Sequence, residues 1–200
     1  MSQLISTEPT PTQQKIVDAL TDKWGESIQS VVVFRGELSI TVELEKLYDI
    51  LVNLRKEHKM VMLLDISSVD HLHDSPRFEV VYELATVNDR QHIRVKAAVT
   101  EGQSVPTAVT IWKTANWHER EIFDMMGIEF IDHPEMTRIL MWEGYEHYPL
   151  RKDFPLAGIE SEIPDADFSA HQAPLEGGPF VTTPGAASRV DAEPCAKGES

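Results

Sequence analysis

Residues 93–100 constrain the fold of this chain more than any other stretch. Ile93, Val95, Ala97 and Val99 alternate with Arg94, Lys96, Ala98 and Thr100, and a period of two belongs to a β-strand, whose side chains point to opposite faces in turn. Arg77 to Val87 is a second strand-like run, and Asn88-Asp89-Arg90-Gln91 between them has the composition of a loop. The two runs are expected to form an antiparallel pair. A sheet is therefore required, and the remaining periodic segments must provide its neighbours and its cover.

Two segments carry a helical period. Ile16, Val17, Leu20 and Trp24 recur at three- and four-residue intervals after Pro11 and before Gly25, which predicts an amphipathic helix with a defined start and stop. From Glu43 to His58, Leu44, Leu47, Ile50, Leu51 and Leu54 trace one face while Glu45, Lys46, Asp49, Arg55 and Lys56 lie mostly opposite. This second helix is expected to cover the sheet. Between the two, Ser30 to Phe34 and Leu38 to Leu44 read as strands of a hairpin turned by Arg-Gly-Glu, with Gly36 free to take a positive φ.

Met60 to Ile66 is a short, almost wholly apolar run, as expected of a strand buried on both faces. Pro106 reads as the opening of a long third helix through Met126, ended by Gly127 where a left-handed cap residue commonly sits. The fold class expected is α+β: a mixed, largely antiparallel sheet covered by helices, followed by an irregular extended C-terminal segment. The expected organisation is a flexible N-terminus (1–10), the α+β domain (11–127), an irregular partner-docking segment (128–156) and a tail (157–200).

The tail holds five of the twelve prolines, five of the ten glycines and eight acidic residues against Arg189 and Lys197. With no periodic apolar face it cannot bury enough surface to offset its ordering entropy. It is expected to be extended, either as a solvating tail or as a segment that orders only on a partner.

Composition narrows the functional classes. The formal charge is −15, from 33 acidic and 18 basic residues, so a phosphate backbone would be repelled over most of the surface and nucleic-acid binding is disfavoured. No stretch approaches the roughly 18 to 20 apolar residues that span a bilayer, and residues 1–9 lack signal-peptide features, so a cytosolic compartment is expected. Cys195 is the only cysteine. An intramolecular disulfide or a four-thiolate iron-sulfur site cannot form within this chain, and any redox cofactor is expected in another one.

The densest cluster of chemical groups is Ala-Asn-Trp-His-Glu-Arg-Glu-Ile-Phe-Asp-Met-Met-Gly at 115–127. On a helical wheel Lys113, Trp117, Arg120, Glu121 and Asp124 fall on one side, opposite Ile111, Ala115, Ile122 and Met126. Carboxylates beside a histidine suit either acid-base work or a surface ion-pair network, and an independent enzyme would use Glu119, Glu121, Asp124 and His118. Glu119 leans to the apolar arc between Trp112 and Met126. If buried it needs a partner, and Arg138 and Arg151 are the expected ones. His71 and His73 have a spacing that would put two imidazoles on one side of a strand, a weak metal signal, and in a loop before Ser75-Pro76 they read more simply as solvent-exposed. The chain holds no Gly-x-Gly-x-x-Gly, no phosphate loop, no Gly-x-Ser-x-Gly elbow and no His-Glu-x-x-His.

Three consecutive motifs then carry a resemblance: residues 115–128 as above with Ile128, His-Pro-Glu-Met-Thr-Arg-Ile-Leu at 133–140, and Pro-Leu-Arg-Lys-Asp-Phe-Pro-Leu at 149–156. With Arg-Phe-Glu-Val-Val-Tyr-Glu-Leu at 77–84 and Ile-Arg-Val-Lys at 93–96, the sequence resembles the 30 kDa (C) subunit family of respiratory complex I from about residue 30 to 160. A departure lies at Glu146-His147-Tyr148-Pro149, where the family pattern has Gly-His before Pro-Leu-Arg-Lys-Asp. The resemblance implies a non-cofactor structural or assembly subunit in the hydrophilic arm of proton-translocating NADH:quinone oxidoreductase. It implies packing against the 49 kDa (D) subunit near the quinone site, on the cytoplasmic side of the bacterial inner membrane or the matrix side of a mitochondrial one. FMN, iron-sulfur clusters and quinone are implied only in neighbouring subunits. Membrane-bound hydrogenase-type complexes contain a similar domain and form the alternative, although the length suits a stand-alone complex I subunit. The residues expected at the partner contact are Trp117, Glu119, Arg120, Glu121 and Asp124 on the helix, His133 and Arg138 after it, and Leu150, Arg151, Lys152, Asp153 and Phe154. No catalytic, cofactor-binding or metal-binding residue is expected.

Overall fold

The fold is organised around one sheet with a wet face and a covered face. The computed structural model describes residues 8–155 except 89, 90 and 143, so the expectations for the tail and Cys195, and most of that for the N-terminus, lie outside the described residues. Helix α1 spans Pro11–Trp24 and starts in a capping box, in which Thr10 Oγ1 accepts the Gln13 N–H at 3.3 Å and Gln13 Oε1 accepts the Thr10 N–H at 2.8 Å. The amide of Gln13, itself buried, donates to the carbonyl of Gly36 at 2.9 Å. The cap thereby fastens the first hairpin as well as the helix.

That hairpin joins β1 (Ile28–Phe34) to β2 (Glu37–Val42) through Arg35 and Gly36, at φ of 54° and 84°. Two consecutive left-handed residues are what a two-residue hairpin turn matched to strand twist requires. Helix α2 (Leu44–Lys56) follows and buries Leu47, Ile50, Leu51 and Leu54, the stripe that the periodicity predicts. Strands β3 (Met62–Asp70), β4 (Phe78–Ala85) and β5 (His92–Val99) complete a sheet of order β1-β2-β5-β4-β3, antiparallel throughout except for the parallel β2–β5 pair.

Register sets the two faces. Leu38, Ile40 and Val42 lie beside Ile93, Val95 and Ala97, with Leu84, Tyr82 and Val80 next in line, and all nine are buried. Complete burial of one large apolar side chain contributes about 1.5–3 kcal/mol, so this layer dominates the stability of the fold. The opposite face carries cross-strand ion pairs: Arg94 with Glu83 and Glu37, His92 with Glu83, and Lys96 with Glu79 at 2.9 Å. The alternation in 93–100 is therefore the division between core and open face.

Two expectations are corrected. The run at 60–66 is not buried on both faces: β3 begins at Met62 and is an edge strand, with Met62, Leu64 and Val69 exposed while Leu63 and Ile66 are buried. An apolar run signals a strand without saying whether it has one neighbour or two. Nor does a helix begin at Pro106. Val105–Pro106 forms strand β6, paired in parallel with β7 (Phe130–Ile131), residues 107–114 are irregular with turns at 109–111 and 113–114, and helix α3 spans only Ala115–Met126. The tertiary pairing with β7 holds Pro106 extended, so its preference for a first helical turn goes unused.

Candidate partner-docking site

Helix α3 ends as predicted, with Gly127 at φ 71° donating its N–H to the carbonyl of Phe123 at 2.9 Å. A second constraint acts on this glycine. A Cβ there would lie 2.6 Å from ring carbons of Tyr148 and 2.7 Å from the Arg151 guanidinium. Close approach and left-handed backbone together fold residues 145–154 back onto the end of the helix.

Asp124 does not belong to an outward charged face. It is completely buried, and its Oδ2 accepts the backbone N–H groups of Ile139 (2.9 Å), Leu140 (2.6 Å) and Met141 (2.9 Å) while Oδ1 accepts from Arg138 at 2.7 Å. Burial pushes this carboxyl up. The N–H groups of Met141, Leu140 and Ile139 and the Arg138 guanidinium outweigh it and hold the group below the ordinary carboxylate range. A wheel compares a residue only with its own helix, and these partners lie 14 to 17 positions downstream.

Glu119 is buried as its angle suggests, but neither arginine reaches it. Its carboxylate accepts the Thr107 hydroxyl at 2.5 Å and the Ala108 N–H at 2.7 Å, binding α3 to the turn that precedes it. Desolvation pushes the group up to about 7 against the opposing effect of these two donors. His133 lies beside it, its Nε2 at 4.0 Å from Oε2. Its Nδ1 accepts the Glu135 N–H at 3.0 Å, which leaves the proton on Nε2 to face the Asn116 carbonyl at 3.3 Å. Burial pulls this imidazole below its usual value.

Arg151 instead donates to the Met126 carbonyl at 2.7 Å and to Glu101 at 2.8 Å, and its guanidinium lies over the rings of Tyr148 (4.4 Å) and Phe78 (5.3 Å). The neighbouring residues complete a clasp. Leu150 N–H donates to the Met125 carbonyl at 3.1 Å, Lys152 N–H to buried Asp70 at 2.9 Å, and Arg77 joins Asp70, Glu101 and Asp153. The bidentate Arg77 holds the Asp70 carboxyl far below the usual range. Asp70, Arg77, Glu101, Thr107 and Tyr148 are the participants that the sequence does not single out as contact residues. Only Tyr148, as a departure from the family pattern, and Arg77, inside a resembling motif, carry a signal.

Residues 40–160 match the family model described as "Respiratory-chain NADH dehydrogenase, 30 Kd subunit". The chain belongs to this family. Among its relatives, the C subunit of the NADH-quinone oxidoreductase of Geotalea uraniireducens (strain Rf4) is 40% identical over 149 residues, covering 74% of this chain and 91% of the relative. A relative in Rhizobium meliloti (strain 1021), also a C subunit of NADH-quinone oxidoreductase, is 40% identical over 148 residues, covering 72% and 81%. The fold is similar to that of a trypsin-resistant Nqo5 fragment (26% identity, TM-score 0.53, 62% of this chain and 98% of that one). It is also similar to a chain of the membrane-bound sulfane sulfur reductase, an archaeal respiratory membrane complex (28% identity, TM-score 0.62, 72% and 85%).

In this 30 kDa-family chain the predicted contact residues divide into two groups. Glu119, Asp124, His133, Arg138 and Arg151 are committed inward, and Phe154 is half-buried beside His147. Arg120 is held by Thr137 at 2.6 and 3.0 Å and lies over the Trp117 ring at 5.1 Å. Trp117, Glu121, Leu150, Lys152 and Asp153 face solvent. Trp117 is 62%, Leu140 60%, Leu150 57% and Ile131 53% exposed, so α3 and the segment after it display large apolar side chains on a rigid frame.

The acid-base constellation does not assemble. Glu119 turns to Thr107, Asp124 to the 138–141 backbone, Glu121 to solvent, and His118 to Asp65 on β3 at 3.2 Å. His71 and His73 occupy the expected loop before Ser75-Pro76, with Leu72 between them at φ 47°. Among the described residues no three His, Cys, Asp or Glu side chains are grouped as metal ligands would be, and no helix is long and apolar enough to cross a membrane.

Proposed function

We propose that this chain is a non-cofactor structural subunit of the hydrophilic arm of a proton-translocating NADH:quinone oxidoreductase, seated against the 49 kDa (D) subunit near the quinone site. The observation that carries this reading is the division just described. Of the charges that suggest chemistry, Glu119 and Asp124 are spent inward on fixing α3 to residues 107–108 and 138–141, while Trp117, Leu140 and Leu150 stand outward as aromatic and aliphatic anchors of the kind that dominate interfaces. Its mechanistic contribution is rigidity: the clasp holds the anchor-bearing surface in one geometry, and the partner that carries clusters and quinone is held with it. FMN, iron-sulfur clusters and quinone belong to neighbouring subunits, and membrane contact comes through the assembled complex on its cytoplasmic or matrix side.

The test replaces Arg151 and Asp153, together and singly, and measures both the abundance of the membrane complex and NADH:quinone turnover per assembled complex. Lower abundance with normal specific turnover is expected. Normal abundance with lost turnover would overturn the structural role. A second reading, the corresponding subunit of a hydrogenase-type membrane complex, is favoured by the likeness to the sulfane sulfur reductase chain. Co-purification of the wild-type chain with a flavin-containing, NADH-oxidising complex would exclude it.

A further inference from the structure

The edge strand β3 offers a more specific kind of contact. It pairs with β4 alone, and among the described residues the backbone of Met62 to Val69 makes no hydrogen bond outside that pairing. Its register shift lies between Leu63 and Asp65, so the stretch beyond it is regular strand. Helix α3 runs alongside, leaving an open groove of about 150 Å³ lined by residues 65–68 on the strand and by Glu121, Ile122, Met125 and Leu150 opposite. An unpaired strand edge flanked by a helix is the geometry that accepts an extended peptide as an additional strand, with alternate side chains of the peptide entering the groove.

We propose that this groove receives an extended, basic segment of another subunit of the same complex as a sixth strand of the sheet, an inference that rests on the subunit role proposed above. The groove is well below the roughly 300–1,000 Å³ of small-molecule sites, which fits side chains of a strand and not a cofactor. Met125, Ile122 and the exposed Leu150 supply an adaptable apolar floor. The ionisable residues of the lining are the acids Glu121, which faces solvent, and Asp65, which the His118 imidazole of α3 meets at 3.2 Å. A cationic peptide complements them, whereas a second copy of a chain of charge −15, or its own residues 157–200 with eight acids against two bases, brings repulsion. The exposed Leu150 itself lines the groove, and Trp117 lies four positions from Glu121 on α3, so one partner can engage both.

A benzophenone side chain introduced at Ser67 in the full-length chain, followed by purification of the membrane complex, illumination and peptide mapping, tests this directly. The expected product joins position 67 to an extended segment of another subunit with net positive charge. Amide exchange over Ile66 to Val69 is expected to be slowed about tenfold or more in the complex relative to the free chain, the equivalent of about one net hydrogen bond. Glu121→Lys should lower the cross-link yield severalfold, and Glu129→Lys, exposed and outside the groove, should leave it unchanged. A cross-link to residues 157–200, to a second copy or to an acidic segment, or unchanged exchange at β3, overturns the proposal while the chain remains in the complex. Absence of the chain from any such complex overturns both this proposal and the subunit role.

Discussion

Buried Asp124 and part-buried Arg138 form a pair, 2.7 Å apart, that ties the third helix to the segment that leaves it. Because Asp124 also accepts three consecutive backbone N–H groups, it acts as a nucleus for a loop that has no periodic structure of its own. Removing the carboxylate leaves those three N–H groups without an acceptor and takes the counter-charge from Arg138, which keeps only the carbonyls of Asp124 and His147. Asp124→Ala is therefore expected to destabilise the chain by about 3–5 kcal/mol and Asp124→Asn by about 1–3 kcal/mol, as urea unfolding would measure. The depressed carboxyl also fixes a pH sign: its contribution is present above the unfolded value of 3.8 and is lost as pH falls through the lower folded value.

Gly127 faces two independent constraints, and a mutant cycle separates them. Gly127→Ala introduces a Cβ at a positive φ and drives it into the Tyr148 ring, for an expected loss of about 2–4 kcal/mol. Tyr148→Ala removes the obstructing ring and costs less on its own. The double variant should be more stable than the sum of the single losses by about 1 kcal/mol, because the clash with the ring then disappears while the Arg151 contact and the backbone part persist. Additive losses in denaturant unfolding would place the whole effect in the backbone and the Arg151 contact.

Much of this architecture was legible in the sequence because its signals are local. The stripes of α1 and α2, the alternation of β5 and the stop at Gly127 all depend on neighbours within a few residues. What was not legible depends on topology. Nothing in 60–66 distinguishes an edge strand from a central one, and nothing near Pro106 announces a parallel pairing with Ile131. The site divides in the same way. Inward-leaning Glu119 and exposed Trp117 follow from wheel angle, whereas Asp124, Arg138 and Arg151 find their partners through chain reversals that no helix period encodes. Tyr148, which breaks the expected Gly-His pattern, turns out to fill the space that Gly127 leaves.

Glu119 predicts a pH dependence of the opposite sign to that of Asp124. Its folded value, about 7, lies above the ordinary 4.5, so the folded state holds its proton more tightly and stability declines as pH rises from 4.5 to 7. The contribution across that window is of order 3 kcal/mol. His133, whose neutral form is favoured by burial, works the other way below 6.5, so the raw profile mixes the two. Glu119→Gln keeps the shape, still accepts the Ala108 N–H and donates through Nε2 to the Thr107 hydroxyl oxygen, and the pH dependence of the wild-type minus variant difference isolates the carboxyl. Urea midpoints at pH 5 and 7.5 should show the variant gaining relative to wild type at the higher pH, and a constant difference would remove the assignment.

Arg77 holds the chain together, whereas Trp117 and Leu150 are expected to hold it to a partner. Arg77 is mostly buried and joins Asp70, Glu101 and Asp153, so Arg77→Ala strands the Asp70 carboxylate and is expected to cost about 3–5 kcal/mol in the isolated chain. Trp117→Ala and Leu150→Ala remove exposed side chains and should change the stability of the isolated chain by no more than about 0.5 kcal/mol. In cells the order should reverse in kind. Both anchor variants should accumulate as folded but unassembled chain with a reduced level of membrane complex, whereas Arg77→Ala should lower the amount of the chain itself. Thermal unfolding of the purified variants, set beside complex abundance on native gels, checks this, and assembled wild-type levels in the Trp117→Ala/Leu150→Ala double variant would mean that this surface is not where the partner binds.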